Sequence, residues 1–356
     1  MSGSAIVAVS RIPGRNLAVS HAAPLPALEP DQVLVKTAAV ALNPCDWKMP
    51  DNFPSVGAVD GSDFAGTVVA LGSAVDRPDL SVGDRVCGAV HGSNPADHRS
   101  GSFAEYVAAT ADILMRIPDG VPWEEGAAIG GTGIATLGLV FYEHMKIEFS
   151  PKKPAPAEKS FPVLIYGGGT ATGTMATQLI RQSGLRPIVV CSNKSASLAM
   201  SYGAEKVFDY NDPNCAAQIK DYVRGRLSYV LDIITDPQSI KLCYEAIGRL
   251  GGTYVGLELL PEERPTRRVV RASWVLGQTI FGKELQLSGG YERPAMPEHR
   301  QLGKKWFLEV QELWHARRIR PHPVKARTGG LDAVLEGIDQ MRRRTVAREK
   351  LVYFFY

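Results

Sequence analysis

The sequence contains no apolar run approaching the roughly 18 residues that a membrane-spanning helix needs, and a membrane role is not expected. Its opening, MSGSAIVAVSRIPGRNL, lacks a basic stretch ahead of a long apolar core and lacks a small-residue cleavage pattern, so a cytoplasmic location is expected. Cysteine is scarce. Cys45, Cys87, Cys191, Cys215 and Cys243 are odd in number and widely separated, and no two form a CxxC pair. That spacing speaks against a disulfide framework and against a four-cysteine structural zinc site. Charge of one sign is also lacking, since 40 Lys and Arg stand against 37 Asp and Glu. The short basic clusters Arg267-Arg268, Arg317-Arg318 and Arg342-Arg343-Arg344 have none of the aromatic interleaving of a nucleic-acid groove, so they read as solvated faces.

What is present is an ordinary globular composition, 45% hydrophobic over 356 residues, enough for two domains. The first third carries short apolar runs bounded by turn residues: DQVLVKTAAVAL, FAGTVVALG, GDRVCGAV and FAEYVAA. They predict a strand-rich, barrel-like unit. From Trp123, WEEGAAIGGTGIATLGLVFYEHM reads as one long helix entering a new domain, and SPKKPAPAEKS after it as an exposed loop. Beyond this, VLIYG, PIVVC, KVFDY, YVLDIIT and GGTYVGLEL alternate with helical stretches. That alternation predicts an α/β fold with a doubly wound parallel sheet. The expected divisions are 1–127, 128–281 and a tail over 282–356 that ends in the strand KLVYFF.

The stretch VLIYGGGTATGTMATQLI has the strand–glycine turn–helix order of a dinucleotide site, where free N–H groups at a helix start face pyrophosphate. Gly167 would make the turn and Gly173 would let the helix approach the sheet. Thr170 stands where the middle glycine is expected, and it or Thr172 could offer a hydroxyl to phosphate instead. By itself the motif is equally compatible with a plain surface turn. The following strand ends in Cys191-Ser192-Asn193-Lys194 with no carboxylate to hold a ribose diol. A hydroxyl, an amide and a cation suit a 2′-phosphate, which favours NADPH over NADH. Tyr210, at the end of KVFDY, would flank the same phosphate or the adenine.

LNPCDWK, GSDFAGTVVALG, VGDRVCG, GSFAEYV and the glycine turn together resemble the medium-chain dehydrogenase/reductase superfamily over nearly the whole chain. The resemblance implies a GroES-like β-rich N-terminal domain, a Rossmann domain and a C-terminal segment that returns to the first. NPCDWKM, YGGGTATG, RPIVVCSNK, AEKVFDY, AIGRLGGTYVGL and VLGQTIFG look like the stand-alone, trans-acting enoyl reductases of fungal polyketide synthases, the lovastatin-pathway type. One departure is Gly173, where that type has alanine. Zinc-dependent relatives carry a GHE ligand motif that is here Gly61-Ser62-Asp63, and Asn43 stands at their first cysteine ligand. A zinc-independent enzyme is expected, with His91 and His98 as surface residues of a polar loop.

The resemblance implies hydride transfer from NADPH to the α,β-double bond of an acyl thioester carried by the acyl carrier domain of a polyketide synthase or a hybrid polyketide/nonribosomal peptide synthase, by a monomer. Lys48 would stabilise the enolate or supply a proton, and Thr136 would bind the acyl carbonyl or the carboxamide side of the cofactor. Cofactor contacts are expected at Cys45, Asp46, Trp47 and Lys48, at Gly169, Thr170, Ala171 and Thr172, and at Ser192, Asn193, Lys194, Ser195 and Tyr210. Leu257 and Glu258 would lie beneath the nicotinamide ribose, with Glu349 and Lys350 near the cofactor. Substrate contacts are expected at Thr136, Leu137, Gly138, Val140 and Phe141, reached past a roomy entrance at Gly130, Gly131 and Gly133. Thr279, Ile280, Phe281 and Gly282 would line the same pocket or form an edge strand. The basic clusters would steer an acidic carrier domain. A quinone or alkenal reductase with a small diffusible substrate, and a cofactor-binding protein without chemistry, are the alternatives.

Overall fold

The structure is a computed structural model that describes residues 5–14, 16–263 and 267–355. It divides into two compact units, one formed by residues up to Ala135 together with those from Gln278 onward, the other by Thr136–Gly277.

The first unit opens with an antiparallel pair, β1 (Ala5–Arg11) and β2 (Leu17–Pro24). There follow β3 (Gln32–Ala41), α1 (Cys45–Asn52), β4 (Asp63–Leu71), β5 (Arg85–Ala89), β6 (Tyr106–Thr110) and β7 (Leu114–Arg116), then α2 (Trp123–Ala128) and the start of α3 (Gly131–Gly138). In β3 Val33 and Val35 are fully buried while Lys36 between Val35 and Thr37 is exposed, the period-two alternation of a strand with one face on a core. Val40, Phe64, Val86, Leu114 and Tyr353 close that core. Each such side chain contributes about 1.5–3 kcal/mol relative to exposure.

The second unit alternates regularly: β8 (Pro162–Tyr166), α4 (Ala171–Gln182), β9 (Arg186–Cys191), α5 (Asn193–Ser201), β10 (Lys206–Asp209), α6 (Cys215–Tyr222), β11 (Tyr229–Asp232), α7 (Pro237–Ala246), β12 (Gly252–Gly256) and β13 (Val270–Trp274). The strands form one parallel sheet in the order β10-β9-β8-β11-β12-β13. All five residues of β8 are buried, as a strand covered by helices on both faces requires. The order reverses at β8, so the crevice beyond its carboxyl end is where ligands bind in such sheets.

The tail supplies α8 (Pro297–His315), β14 (Val324–Arg327), α9 (Gly330–Arg342) and β15 (Lys350–Phe354). β15 inserts between β14 and β3, antiparallel to β3 with Val352 opposite Ala41, completing the first unit's sheet. No helix among the described residues is long and apolar enough to cross a membrane.

The stretch from Trp123 to His144 is not one helix. The chain breaks at Gly130, whose φ of +80° is left-handed. A Cβ on Gly131 would lie 2.4 Å from the carbonyl carbon of Gly88, so backbone meets backbone there and no roomy entrance exists at Gly131. After α3 the chain widens into a π-helical turn over Leu139–His144.

Candidate active site

In the second unit the glycine turn sits at the carboxyl end of β8. Gly167 has φ +91°, which a residue with a side chain adopts only under strain. A Cβ on Gly168 would lie 2.1 Å from Val189 Cγ1, and one on Gly169 would lie 2.7 Å from Ser195 Oγ. A Cβ on Gly173 would lie 2.4 Å from the Gly167 carbonyl oxygen, so α4 packs directly on the turn. Thr170 is the N-cap of α4: its Oγ1 accepts from Gly173 N at 3.0 Å and donates to the Gly167 carbonyl at 2.8 Å. Both capacities of the hydroxyl that matter are thereby committed. In this structure the Thr170 hydroxyl proton goes to the Gly167 carbonyl, inside the turn. Gly169, Ala171 and Thr172 lie beside it, all half-buried, at the helix start.

The next crossover places Ser192 at the N-cap of α5, with Asn193 and Lys194 exposed in its first turn and Ser195 buried against Gly169. Ser192 Oγ and Ser195 Oγ stand 3.4 Å apart. Tyr210 follows β10, half-buried, its ring 6.0 Å from that of Tyr166. A tight glycine turn leading into a helix start beyond the carboxyl end of β8 fits the pyrophosphate of a dinucleotide. Beyond β12, the Leu257 N–H donates to Thr235 Oγ1 at 2.8 Å, and Glu258 follows, half-buried. Thr235 holds a left-handed φ of +55°. Asp232, at the end of β11, fixes this corner by accepting from Ile234 N, Thr235 N, Ser239 Oγ and Tyr254 OH at 2.6–3.0 Å. Its burial pushes its carboxyl above the ordinary range.

The first unit holds the second group of candidates. Lys48 is half-buried on α1, its ammonium 5.8 Å from the centroid of the Trp47 ring. Cys45 and Asp46 bond to neighbouring groups of the protein. Asp46 is buried and accepts from the Asn43 N–H at 2.6 Å and from Ser62 Oγ at 2.7 Å, while Cys45 Sγ stands 3.2 Å from Ser62 Oγ. Desolvation pushes the Asp46 carboxyl up to about 7 and the Cys45 thiol well above its ordinary value.

Sequence reading missed the centre of this region. Asp63, fully buried at the start of β4, accepts from Asn43 Nδ2 at 2.8 Å, Thr132 N at 2.8 Å, Thr132 Oγ1 at 2.7 Å and Lys350 Nζ at 3.1 Å. Lys350 Nζ also donates to Asn43 Oδ1. Its side chain is 5% exposed, so the ammonium faces protein, whereas Glu349 is exposed and pairs with Lys325 at 2.8 Å. In this structure the Lys350 ammonium is engaged by Asp63 and Asn43. This cluster does not suit zinc either: histidine is absent from it, and an ammonium already neutralises its one four-times-bonded carboxylate. Among the described residues no group of three His, Cys, Asp or Glu is placed to hold a metal.

Of the expected substrate contacts, Leu137, Val140 and Phe141 are core residues, 0–3% exposed, and Gly138 is buried; Thr136 is half-buried. Gly277–Phe281 forms a 3-10 turn rather than an edge strand. There Ile280 is fully buried and Thr279 Oγ1 bonds His299 Nδ1 at 2.9 Å. Phe281 faces a cavity of about 200 Å³, and Gly282 turns with φ +72°. His91 lines that cavity too. It is 7% exposed and desolvation lowers its pKa to about 4, which corrects the surface reading; His98 is exposed as expected.

Residues 29–119 match the alcohol dehydrogenase GroES-like domain family, and residues 171–290 match the zinc-binding dehydrogenase family. The trans-enoyl reductase ccsC of Aspergillus clavatus is 48% identical over 338 residues, 94% of this chain and 92% of that protein. The trans-enoyl reductase ffsC of Aspergillus flavipes is 48% identical over 340 residues, covering 95% and 93%. Among solved structures, an alcohol dehydrogenase superfamily protein from Novosphingobium aromaticivorans superposes with a TM-score of 0.78 at 21% identity, covering 99% of this chain and all of the other. The CurK enoyl reductase superposes at 0.71 and 16% identity, covering 99% of each. The structural likenesses fix the fold and the sequence identities fix the group: the chain belongs to the trans-enoyl reductases, oxidoreductases of the medium-chain dehydrogenase/reductase superfamily.

Proposed function

We propose that the protein is an NADPH-dependent, zinc-independent enoyl reductase that acts in trans on the α,β-unsaturated thioester of a polyketide chain, presented by the acyl carrier domain of a partner synthase. Identity of 48% to trans-enoyl reductases along almost the whole chain carries this reading. The choice of NADPH is supported by the rim of β9, where Ser192, Asn193 and Lys194 stand and a ribose-binding carboxylate does not.

Bound NADPH would supply hydride to the β-carbon of the alkene, and the α-carbon of the resulting enolate would take a proton. The chain's own residues have two tasks: holding the acyl group in reach, and stabilising the negative charge that grows on the thioester oxygen. Lys48 is assigned the second. Its ammonium, carried on α1 beside Trp47, offers a positive charge to the enolate oxygen. Thr136 is assigned an orienting hydroxyl. The polar turn at Leu257–Glu258, held by Thr235, is assigned to the ribose side. The deciding experiment is NADPH oxidation with an α-methyl-unsaturated acyl thioester against a quinone, for wild type and Lys48→Ala. Thioester turnover that falls at least 100-fold in the variant, with NADPH affinity retained, supports the reading. Turnover of the quinone alone refutes it.

A further inference from the structure

We infer that Lys350 is a positioning residue, whose ammonium ties the start of α1 to the buried Asp63 carboxylate and so sets the placement of Lys48. Asn43 precedes α1 by two residues and gives both ends of its carboxamide to this centre: Oδ1 accepts from Lys350 Nζ, and Nδ2 donates to Asp63 Oδ2 at 2.8 Å. Its backbone continues the link. The Asn43 N–H donates to Asp46 Oδ2 at 2.6 Å, and its carbonyl accepts from Asp46 N at 3.0 Å, so the first turn of α1 is fastened to Asn43 on both sides.

The other oxygen of Asp63 takes both the N–H and the hydroxyl of Thr132, the second residue of α3. Four donors on one carboxylate use all its lone-pair directions. One buried ion pair, with side chains 5% and 0% exposed, thus holds the first turns of two helices. A solvated lysine keeps its ammonium in water. This one is directed inward, on the first residue of β15, the strand that completes the sheet.

The kinetic arm of the test rests on the reductase reading; a second arm does not. Lys350→Met alone strands a buried carboxylate and is expected to fold poorly. The informative variant pairs it with Asp63→Asn, which removes both charges together. Three quantities are measured: NADPH Kd by cofactor fluorescence, kcat at saturating NADPH and enoyl thioester, and the NMR resonance of Lys48 after reductive 13C-methylation, assigned with Lys48→Arg. The expected result is cooperative unfolding retained, Kd within twofold of wild type, kcat lowered at least tenfold, and a shifted Lys48 resonance. A tenfold rise in Kd with kcat retained would make Lys350 a cofactor ligand and overturn the inference, as would a kcat within twofold of wild type. Should wild type turn over no enoyl thioester, the reductase reading fails by itself. Kd and the Lys48 resonance then decide: an unshifted resonance overturns the positioning role, and a shifted one with unchanged Kd supports it.

Discussion

Thr170→Ala separates two roles for one hydroxyl by magnitude. In the structure Oγ1 caps α4 through Gly173 N and closes the turn through the Gly167 carbonyl. Loss of a threonine cap costs about 1 kcal/mol, within about 0.5–2 kcal/mol. For the unit spanning Thr136–Gly277 that is a fall in Tm of about 2–4 °C. Were the hydroxyl instead a donor to a cofactor phosphate, its removal would cost about 1.5–3 kcal/mol of binding, which is roughly a 10- to 150-fold rise in NADPH Kd. The cap predicts the first effect with less than a threefold change in Kd. Thermal unfolding and fluorescence titration read both on one preparation, and Thr170→Ser, which keeps the hydroxyl, should reproduce wild type in each. An unchanged Tm with a tenfold weaker Kd would refute the capping account.

Lys194→Glu places a carboxylate at the rim of β9 and should weaken NADPH at least tenfold while leaving NADH within a few-fold, as measured by Kd for each. Charge reversal of the exposed pair Arg317 and Arg318 should raise KM for carrier-bound substrate and leave a simple acyl thioester unaffected; equal rates on both would remove these arginines from docking. The hydrogen bonds from the buried Arg77 hold the Asp79 carboxyl down to about 2, below its unfolded value of 3.8. Its stabilisation is therefore present above about pH 4 and lost as pH falls toward 2. Asp79→Asn should lower the denaturation midpoint at pH 7, and the gap to wild type should close over that acid window.

Much of the second unit could be read from local pattern. Strand and helix alternate there with clear periods, and the turn after β8 and the rim after β9 lie within about thirty residues of each other. The capping bonds of Thr170 were not legible, because sequence places a hydroxyl but does not say whether a neighbouring carbonyl already takes its proton. The break at Gly130 was hidden by an unbroken apolar stretch, since only packing against Gly88 shows that backbone must pass there. Asp63 and Lys350 are separated by 287 positions, so neither residue signals the other. His91 followed the same rule: polar neighbours in sequence gave no hint that the fold would enclose it.

The insertion of β15 beside β3 has a consequence for the order in which the chain matures. Residues 136–277 form a contiguous block and can fold while synthesis continues. β3 is covered early over only part of one edge: β6 pairs with Gln32–Lys36 there, while Ala39–Ala41 wait for β15, made some three hundred residues later, with Ala41 opposite Val352. Until then that part of the edge presents unpaired backbone groups to the cell. Stalled or proteolysed chains lacking the last strand should therefore carry a folded cofactor block joined to an open, aggregation-prone sheet. A tag or truncation at the carboxyl end will thus be felt first in solubility and only second in turnover.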